Sequence, residues 1–424
     1  MHYKKLLLKK INNKKAKVGI IGLGYVGLPL AKLFLRKKFD VTGFEVDKSK
    51  VINLNKGKSY IKHINETQIT NKKNLLATWN FKKINSVDII ILCLPTPVNT
   101  NKTPNLSYIK KALINIKSHL KAGQIIILES STYPGSTREI LNKFLIKNKF
   151  IIGKNFFLGY SPEREDPNNK NFHIENIPKL CSGITKSCKT ITENIYKKIV
   201  NKVVSVSSIE TAEFTKVFEN TYRSVNIALV NEMKLLAKKK KLNINEIIKA
   251  ADTKPFGFQA FQPGPGVGGH CIPIDPYYLS WVAKKNNLKS NFVDLAGKVN
   301  DEMPNWIIKE SLKIKKIKKA LIIGVAYKKN IDDVRESPAL KFIKILNQKK
   351  IKINYFDPYI KKLKFKKNKI LKSVKLQNLK YYDIIYIITD HDCIDYKKIK
   401  NNAKLIIDTR NVFKKEIEDK IIKL

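Results

Sequence analysis

The residues best equipped for chemistry fall in the stretch 261–275, Phe-Gln-Pro-Gly-Pro-Gly-Val-Gly-Gly-His-Cys-Ile-Pro-Ile-Asp. Four glycines and two prolines within seven residues make an irregular loop whose backbone can approach a bound molecule closely. Cys271 follows at once, and Asp275 comes four residues later. If Pro273 or Pro276 opens a helix, the thiol lies beside a helix N-terminus, whose partial positive charge favours thiolate. Asp275 then lies about one turn away, where it can hold a water or orient a partner. A Gly-Pro surface loop with a buried cysteine has the same pattern, because free Cys is often a small core hydrophobe. The loop alone does not separate the two.

Two further groups carry reactive side chains. From Glu210 to Lys241 the pattern is that of a long helix, and Lys216, Asn220 and Arg223 at i, i+4 and i+7 share one of its faces. The loop Ser161-Pro-Glu-Arg-Glu-Asp166 gathers Glu163, Glu165 and Asp166 around Arg164.

The elements that must position these groups are α/β in pattern. An apolar run from Lys17 leads into Gly22-Leu-Gly24-Tyr25-Val26-Gly27, then a helical stretch, then a second strand ending in Glu45. This is the strand–turn–helix–strand context in which GxGxxG is a dinucleotide fingerprint. Gly22 makes the tight turn, Gly24 lets backbone reach the pyrophosphate, and Gly27 lets helix pack on strand. A carboxylate at Glu45 binds both ribose hydroxyls and repels a 2′-phosphate, so NAD is expected over NADP. Buried-strand runs at Val87–Leu94 and Gln124–Glu129 end in turns that carry Thr96 and Thr132. Phe156–Tyr160 leads into the carboxylate loop, and Val203–Val206 closes the first domain. Central helices run to about Met303, where Pro304 is expected to break them. Ala320–Ala326 then starts a second α/β domain, with strands at 351–356, 383–388 and 404–408. The expected fold class is α/β, two Rossmann-like doubly wound domains joined by a central helical domain. The expected domains are a basic, frayed N-terminal arm at 1–16, an NAD-binding domain at 17–208, a central domain at 209–303 and a C-terminal domain at 304–424.

Composition narrows the function classes. Of 83 basic residues only six are arginine, and the net charge is +48. The lysines are spread along the whole chain, whereas nucleic-acid readers concentrate charge in a patch and use Arg for bidentate contacts. No nucleic-acid partner is expected. Five cysteines with no CxxC or Cys/His spacing point to a reducing compartment and to no metal site. Neither a signal peptide nor a membrane span is visible, so a cytoplasmic location is expected.

The motifs IGLGYVGLPLA, LPTP, ESSTYPG, SPER, ENTYRSVNIALVNE, PGPGVGGHCIPIDP and AYKKNIDDVRESPA together resemble those of the UDP-glucose/GDP-mannose dehydrogenase family, in its order and from about Lys17 to Phe413. The resemblance implies an NAD-binding domain, a central dimerisation domain and a UDP-binding domain, hence a homodimer or larger homo-oligomer acting on a UDP-sugar. It implies NAD contacts at Tyr25, Val26, Lys50, Thr96, Thr132 and Arg335 beside the glycines and Glu45. It implies substrate contacts at Glu163, Arg164, Phe261, Gly264, Gly268 and Lys328, with Arg223 a further candidate for a phosphate or carboxylate of the substrate. Ser59-Tyr-Ile-Lys-His-Ile64 and Thr253-Lys-Pro-Phe-Gly-Phe258 are similar to members acting on UDP-N-acetylhexosamines. Ile274 stands where UDP-glucose members usually carry lysine.

The reaction so implied is oxidation of a sugar C6 hydroxyl to the carboxylate with two NAD, supplying nucleotide sugar for surface polysaccharide such as O-antigen. UDP-N-acetyl-D-glucosamine is the leading substrate; UDP-glucose, UDP-N-acetylgalactosamine and UDP-N-acetylmannosamine are alternatives. A scaffold that binds NAD or nucleotide without catalysis is the competing class. In the expected mechanism Lys216, or a water held by Lys216 and Asp275, takes the hydroxyl proton. Cys271 attacks the aldehyde, Lys216 and Asn220 stabilise the oxyanion, and hydrolysis falls to Asp275 and one carboxylate of the loop, Glu163, Glu165 or Asp166, with the resemblance favouring Glu163.

Overall fold

The computed structural model describes residues 2–61, 75–166, 169, 171–366, 369–414 and 418–424. Lys62, His63 and Ile64 of the motif at 59–64 lie outside them. The chain divides into two compact units, one of Met1–Glu219 with Tyr277–Asn287, the other of Asn220–Pro276 with Leu288–Leu424.

The first unit opens with α1 (His2–Asn12). Residues expected to fray therefore form a helix, because Leu7 and Ile11 fall on one side and are buried in the core, while Lys10 pairs with Asp88 at 2.6 Å. Strand β1 (Val18–Ile21) leads to α2 (Gly27–Arg36), β2 (Val41–Phe44), α3 (Lys48–Asn55) and β3 (Leu75–Thr78). Then come β4 (Ile89–Leu92), α4 (Ser107–Ile116), β5 (Ile125–Leu128), α5 (Lys143–Lys147) and β6 (Phe157–Tyr160). After them, β7 (Lys179–Gly183), α6 (Lys186–Lys197) and β8 (Val203–Ser205) complete the eight-stranded sheet, ordered β3-β2-β1-β4-β5-β6-β7-β8. Only the β6–β7 pairing is antiparallel. Strands VGII, IIIL and IIIL are buried at every residue, as strands covered on both faces must be. The order reverses at β1, which pairs with β2 on one side and β4 on the other. That switch point opens the crevice where doubly wound sheets bind ligands.

Helix α7 (Ile209–Lys239) runs 31 residues. The second unit adds α8 (Ile244–Ala251), the start of α9 (Asp275–Lys285) and α10 (Asn291–Ile314). It continues with β9 (Lys319–Ile323), α11 (Pro338–Gln348), β10 (Lys352–Phe356) and a hairpin of β11 (Lys362–Lys366) and β12 (Lys369–Lys372). β13 (Ile384–Ile387), α12 (Tyr396–Asn402), β14 (Ile406–Asp408) and β15 (Ile421–Lys423) follow, giving a parallel five-stranded sheet ordered β10-β9-β13-β14-β15. The expected break at Pro304 does not occur, and α10 passes straight through it. Proline removes the hydrogen bond to the carbonyl of Asn300. Packing compensates, with Met303, Pro304, Ile307 and Ile308 all buried along the helix.

Candidate active site

In the first unit the fingerprint has the shape that a dinucleotide requires. Gly22 adopts φ +92°, and a Cβ on Gly27 would stand 1.9 Å from the Gly22 carbonyl oxygen, so only glycine lets α2 start there. Around Gly24 the space is open. Val26 caps α2, and Tyr25 packs on the core beside it. Glu45 at the end of β2 is buried and accepts from the backbone N–H groups of Leu23 and Asp47, both at 3.2 Å. Lys50 stands 4.0 Å from the same carboxylate and over the Tyr60 ring, whose hydroxyl donates to the Leu23 carbonyl. This cradle fits NAD: an open glycine turn, a helix N-terminus and a fixed acid. Thr96 and Thr132 are buried at the ends of β4 and β5; the Thr96 carbonyl accepts from Tyr278, and Thr132 Oγ1 accepts from Ser136 at 2.6 Å.

The carboxylate loop rests on a buried network absent from the sequence reading. Lys179 Nζ lies 2.8 Å from both Glu129 and Glu163, and Tyr196 donates to Glu129. Burial pushes Glu163 up, yet the Lys179 charge and the backbone N–H groups of Arg164 and Glu165, each at 2.7 Å, bring it below its ordinary value. Both Glu163 oxygens are thus committed. Glu165 is instead pushed up to about 7, first by burial and then by the charge of Glu163. Arg164 is held by Glu219 at 2.5 Å and by the Pro178 carbonyl at 2.9 Å. Lys216 on α7 is buried in this unit, only 7 % exposed.

In the second unit, Asn220 is buried and its side-chain amide donates to Asp275 at 2.6 Å. Asp275 begins α9, and its backbone N–H donates to the Cys271 carbonyl at 2.8 Å. The helix therefore opens at the aspartate, and Pro276 supplies its second residue. Cys271 is exposed. Cys93 is half-buried and Cys181 buried, and burial drives both thiols up, the latter to about 12. His270 is lowered to about 4 by burial and by the charge of Arg335, so a neutral imidazole adjoins the thiol and no imidazolium supports it.

The glycine loop is anchored by residues that the helical pattern did not distinguish. Asn231, fully buried on α7, accepts from the Gly264 N–H at 2.9 Å and donates to Asn300 at 2.9 Å. A Cβ on Gly268 would meet Tyr327 Cβ and the Glu336 carbonyl at 2.9 Å, so the loop packs directly on the turn after β9. In that turn Arg335 is bidentate to Asp333, and its carbonyl accepts from Gly269 N–H at 3.0 Å. Lys328 is half-buried there, and Phe261 packs edge-on against Tyr222 at 5.9 Å between centroids. Arg223 is exposed on α7, unlike Asn220, although the spacing put them on one face. Among the described residues no cluster of three or more metal-ligating side chains occurs, and no helix is long and apolar enough to cross a membrane.

An NAD cradle on a doubly wound sheet, followed by a second parallel sheet behind a Gly-Pro-Cys loop, defines an NAD-dependent nucleotide-sugar dehydrogenase. The chain belongs to the UDP-glucose/GDP-mannose dehydrogenase family: its NAD binding domain matches residues 16–200, its central domain 210–302 and its UDP binding domain 321–415. The chain is 33% identical over 359 residues to UDP-N-acetyl-D-glucosamine 6-dehydrogenase of Pseudomonas aeruginosa, covering 82% of this chain and 84% of that protein. It is 34% identical over 420 residues to UDP-N-acetyl-D-mannosamine dehydrogenase of Methanocaldococcus jannaschii, covering 95% and 94%. The solved structure of the UDP-D-ManNAc dehydrogenase from Pyrococcus horikoshii superposes with TM-score 0.86 at 28% identity, covering 96% of this chain and 98% of that one.

Proposed function

We propose that this enzyme oxidises the C6 hydroxyl of a UDP-N-acetylhexosamine, UDP-N-acetyl-D-glucosamine first, to the uronate by way of a covalent link to Cys271. The observation that carries this reading is an exposed cysteine at the foot of a helix whose first residue, Asp275, is hydrogen-bonded to Asn220. NAD, when bound, accepts a hydride at each of the two oxidations. Lys216, or a water it holds with Asp275, takes the C6 hydroxyl proton. The Cys271 thiolate adds to the aldehyde carbon, and its oxyanion is stabilised by the Lys216 ammonium and the second Asn220 N–H, the first being given to Asp275. After the second oxidation a thioester remains on Cys271, and water cleaves it. Glu165, poised near neutrality, is the better acceptor for that water's proton than Glu163, whose oxygens are already bonded.

Rates of NADH release over UDP-N-acetylglucosamine, UDP-N-acetylmannosamine, UDP-N-acetylgalactosamine and UDP-glucose test the assignment. Preference for UDP-glucose would refute it. UDP-N-acetyl-D-mannosamine is the second reading, favoured by the relative that matches over more of the chain. A homodimer is proposed as well, since α7 leaves Phe214, Phe218, Tyr222 and Leu229 exposed. Light scattering at micromolar concentration tests it, and a monomer would overturn it.

A further inference from the structure

In the second unit, the turn after β9 that carries Lys328 and Arg335 is pinned by the loop that follows β13. Thr389 Oγ1 donates to the Ala326 carbonyl at 2.6 Å, and the backbone N–H of Asn330 donates to His391 Nδ1 at 2.9 Å. The Asn330 side chain is bonded twice to Asp392, donating from Nδ2 at 2.6 Å and accepting from the backbone N–H at 3.0 Å. Lys329 Nζ reaches the same carboxylate at 3.1 Å. Lys328 therefore lies between two points, Ala326 and Asn330, that a single loop holds. Asn330 adopts φ +62°, a left-handed conformation that persists where the surroundings fix it.

His391 is fully buried, and its two ring nitrogens have different tasks. Because Nδ1 accepts a backbone N–H, the neutral ring carries its proton on Nε2, which donates to Asp357 at 3.1 Å. Asp357, also fully buried, accepts in turn from the N–H groups of Val325 and Ala326 at 2.7 and 3.0 Å, where the same turn begins. The Tyr359 ring packs over the imidazole, with centroids 5.0 Å apart. Nε2 thus serves the end of β10, and Nδ1 serves the turn that carries Lys328.

We propose that His391 is a positioning residue for the substrate: through Nδ1 it fixes Asn330, and with it the backbone from which Lys328 reaches the UDP-sugar. The inference rests on the assignment of Lys328 to the substrate and adds the residue that holds the lysine in place. A contact that is ordered before binding spares the ligand the cost of ordering it.

Calorimetry on the full chain tests this without NAD, so that no turnover occurs, using the UDP-sugar that is fastest in the rate panel. His391→Asn sets an acceptor where Nδ1 stands and loses the donor to Asp357. His391→Gln extends its amide to the place of Nε2, keeping that donor and losing the acceptor. The Gln variant should weaken binding by about tenfold and the Asn variant by no more than about threefold. A histidine that only fills the core or serves Asp357 predicts the reverse order. Lys328→Met should itself weaken binding by about tenfold, and in that background His391→Gln should cost less than about twofold, because the two losses are one. Asp392→Ala removes an exposed side chain and leaves the buried ring in place. It should weaken binding by about threefold and lose that effect in the Lys328→Met background; it decides alone where His391→Gln does not fold. Equal loss in the Asn and Gln variants, losses that add to that of Lys328→Met, or unchanged binding in Asp392→Ala would each overturn the inference. Lys328→Met binding as tightly as the unaltered enzyme would remove the Lys328 contact itself, and the inference with it.

Discussion

The side-chain amide of Asn220 donates to Asp275 at 2.6 Å, and both residues are buried. The bond ties α7 to the residue that opens α9, four positions after the exposed Cys271. Asn220→Ala leaves the aspartate without this donor and removes the proposed oxyanion contact. Turnover should fall by about a hundredfold or more, and stability by ~1–3 kcal/mol. Steady-state kinetics with urea denaturation checks both; unchanged kcat would show that Asn220 only buttresses Asp275.

Lys179 bridges two buried carboxylates, Glu129 and Glu163, at 2.8 Å each. Burial lifts Glu129 to about 7, while the two acids together hold the lysine above its ordinary value against its own burial. Lys179→Met should destabilise the first unit by ~3–5 kcal/mol, because it strands buried acids. Loss of less than about 1 kcal/mol in urea melts would contradict the network's structural role.

How much of this was visible in the sequence follows from what each feature repeats. Buried strands such as Ile89–Leu92 and Ile125–Leu128 announce themselves as apolar runs, and GxGxxG carries its own geometry. Strand β15 was missed because three residues are too few to show a period. Lys179 was invisible because, in a lysine-rich chain, nothing local marks a buried lysine. Asn231 and Asn300 sit among apolar helix residues, and only tertiary packing pairs them. Arg223 shows the limit of spacing arguments: i, i+7 matches Lys216, yet the side chain is exposed.

Cofactor choice should follow Glu45. Its carboxylate is fixed by two backbone donors at 3.2 Å, so it would meet a bound ribose without rearranging. Glu45→Ala should raise KM for NAD and narrow the preference over NADP. Equal kcat/KM with both cofactors in the unaltered enzyme would rule out the ribose contact.

The pH dependence should reveal the hydrolytic base. Glu165 is raised to about 7, so its proton-accepting form grows as pH rises through 7. Thioester hydrolysis, followed by quench and intact mass, should accelerate from pH 6 to 8 and level off above. Glu165→Gln should flatten that limb while the first NADH still forms. A Glu165→Gln enzyme with the original pH profile would assign the proton elsewhere.

The proposed covalent mechanism turns on Cys271, and NADH formed per sugar measures it most directly. The unaltered enzyme should yield two NADH per UDP-sugar oxidised. Cys271→Ser should bind NAD and UDP-sugar yet lose net turnover to the uronate, because a serine hydroxyl is a weak nucleophile and its ester hydrolyses slowly. Replacing half-buried Cys93 or buried Cys181 with alanine should leave the two-NADH yield in place. Near-normal two-NADH turnover by Cys271→Ser would contradict the covalent mechanism.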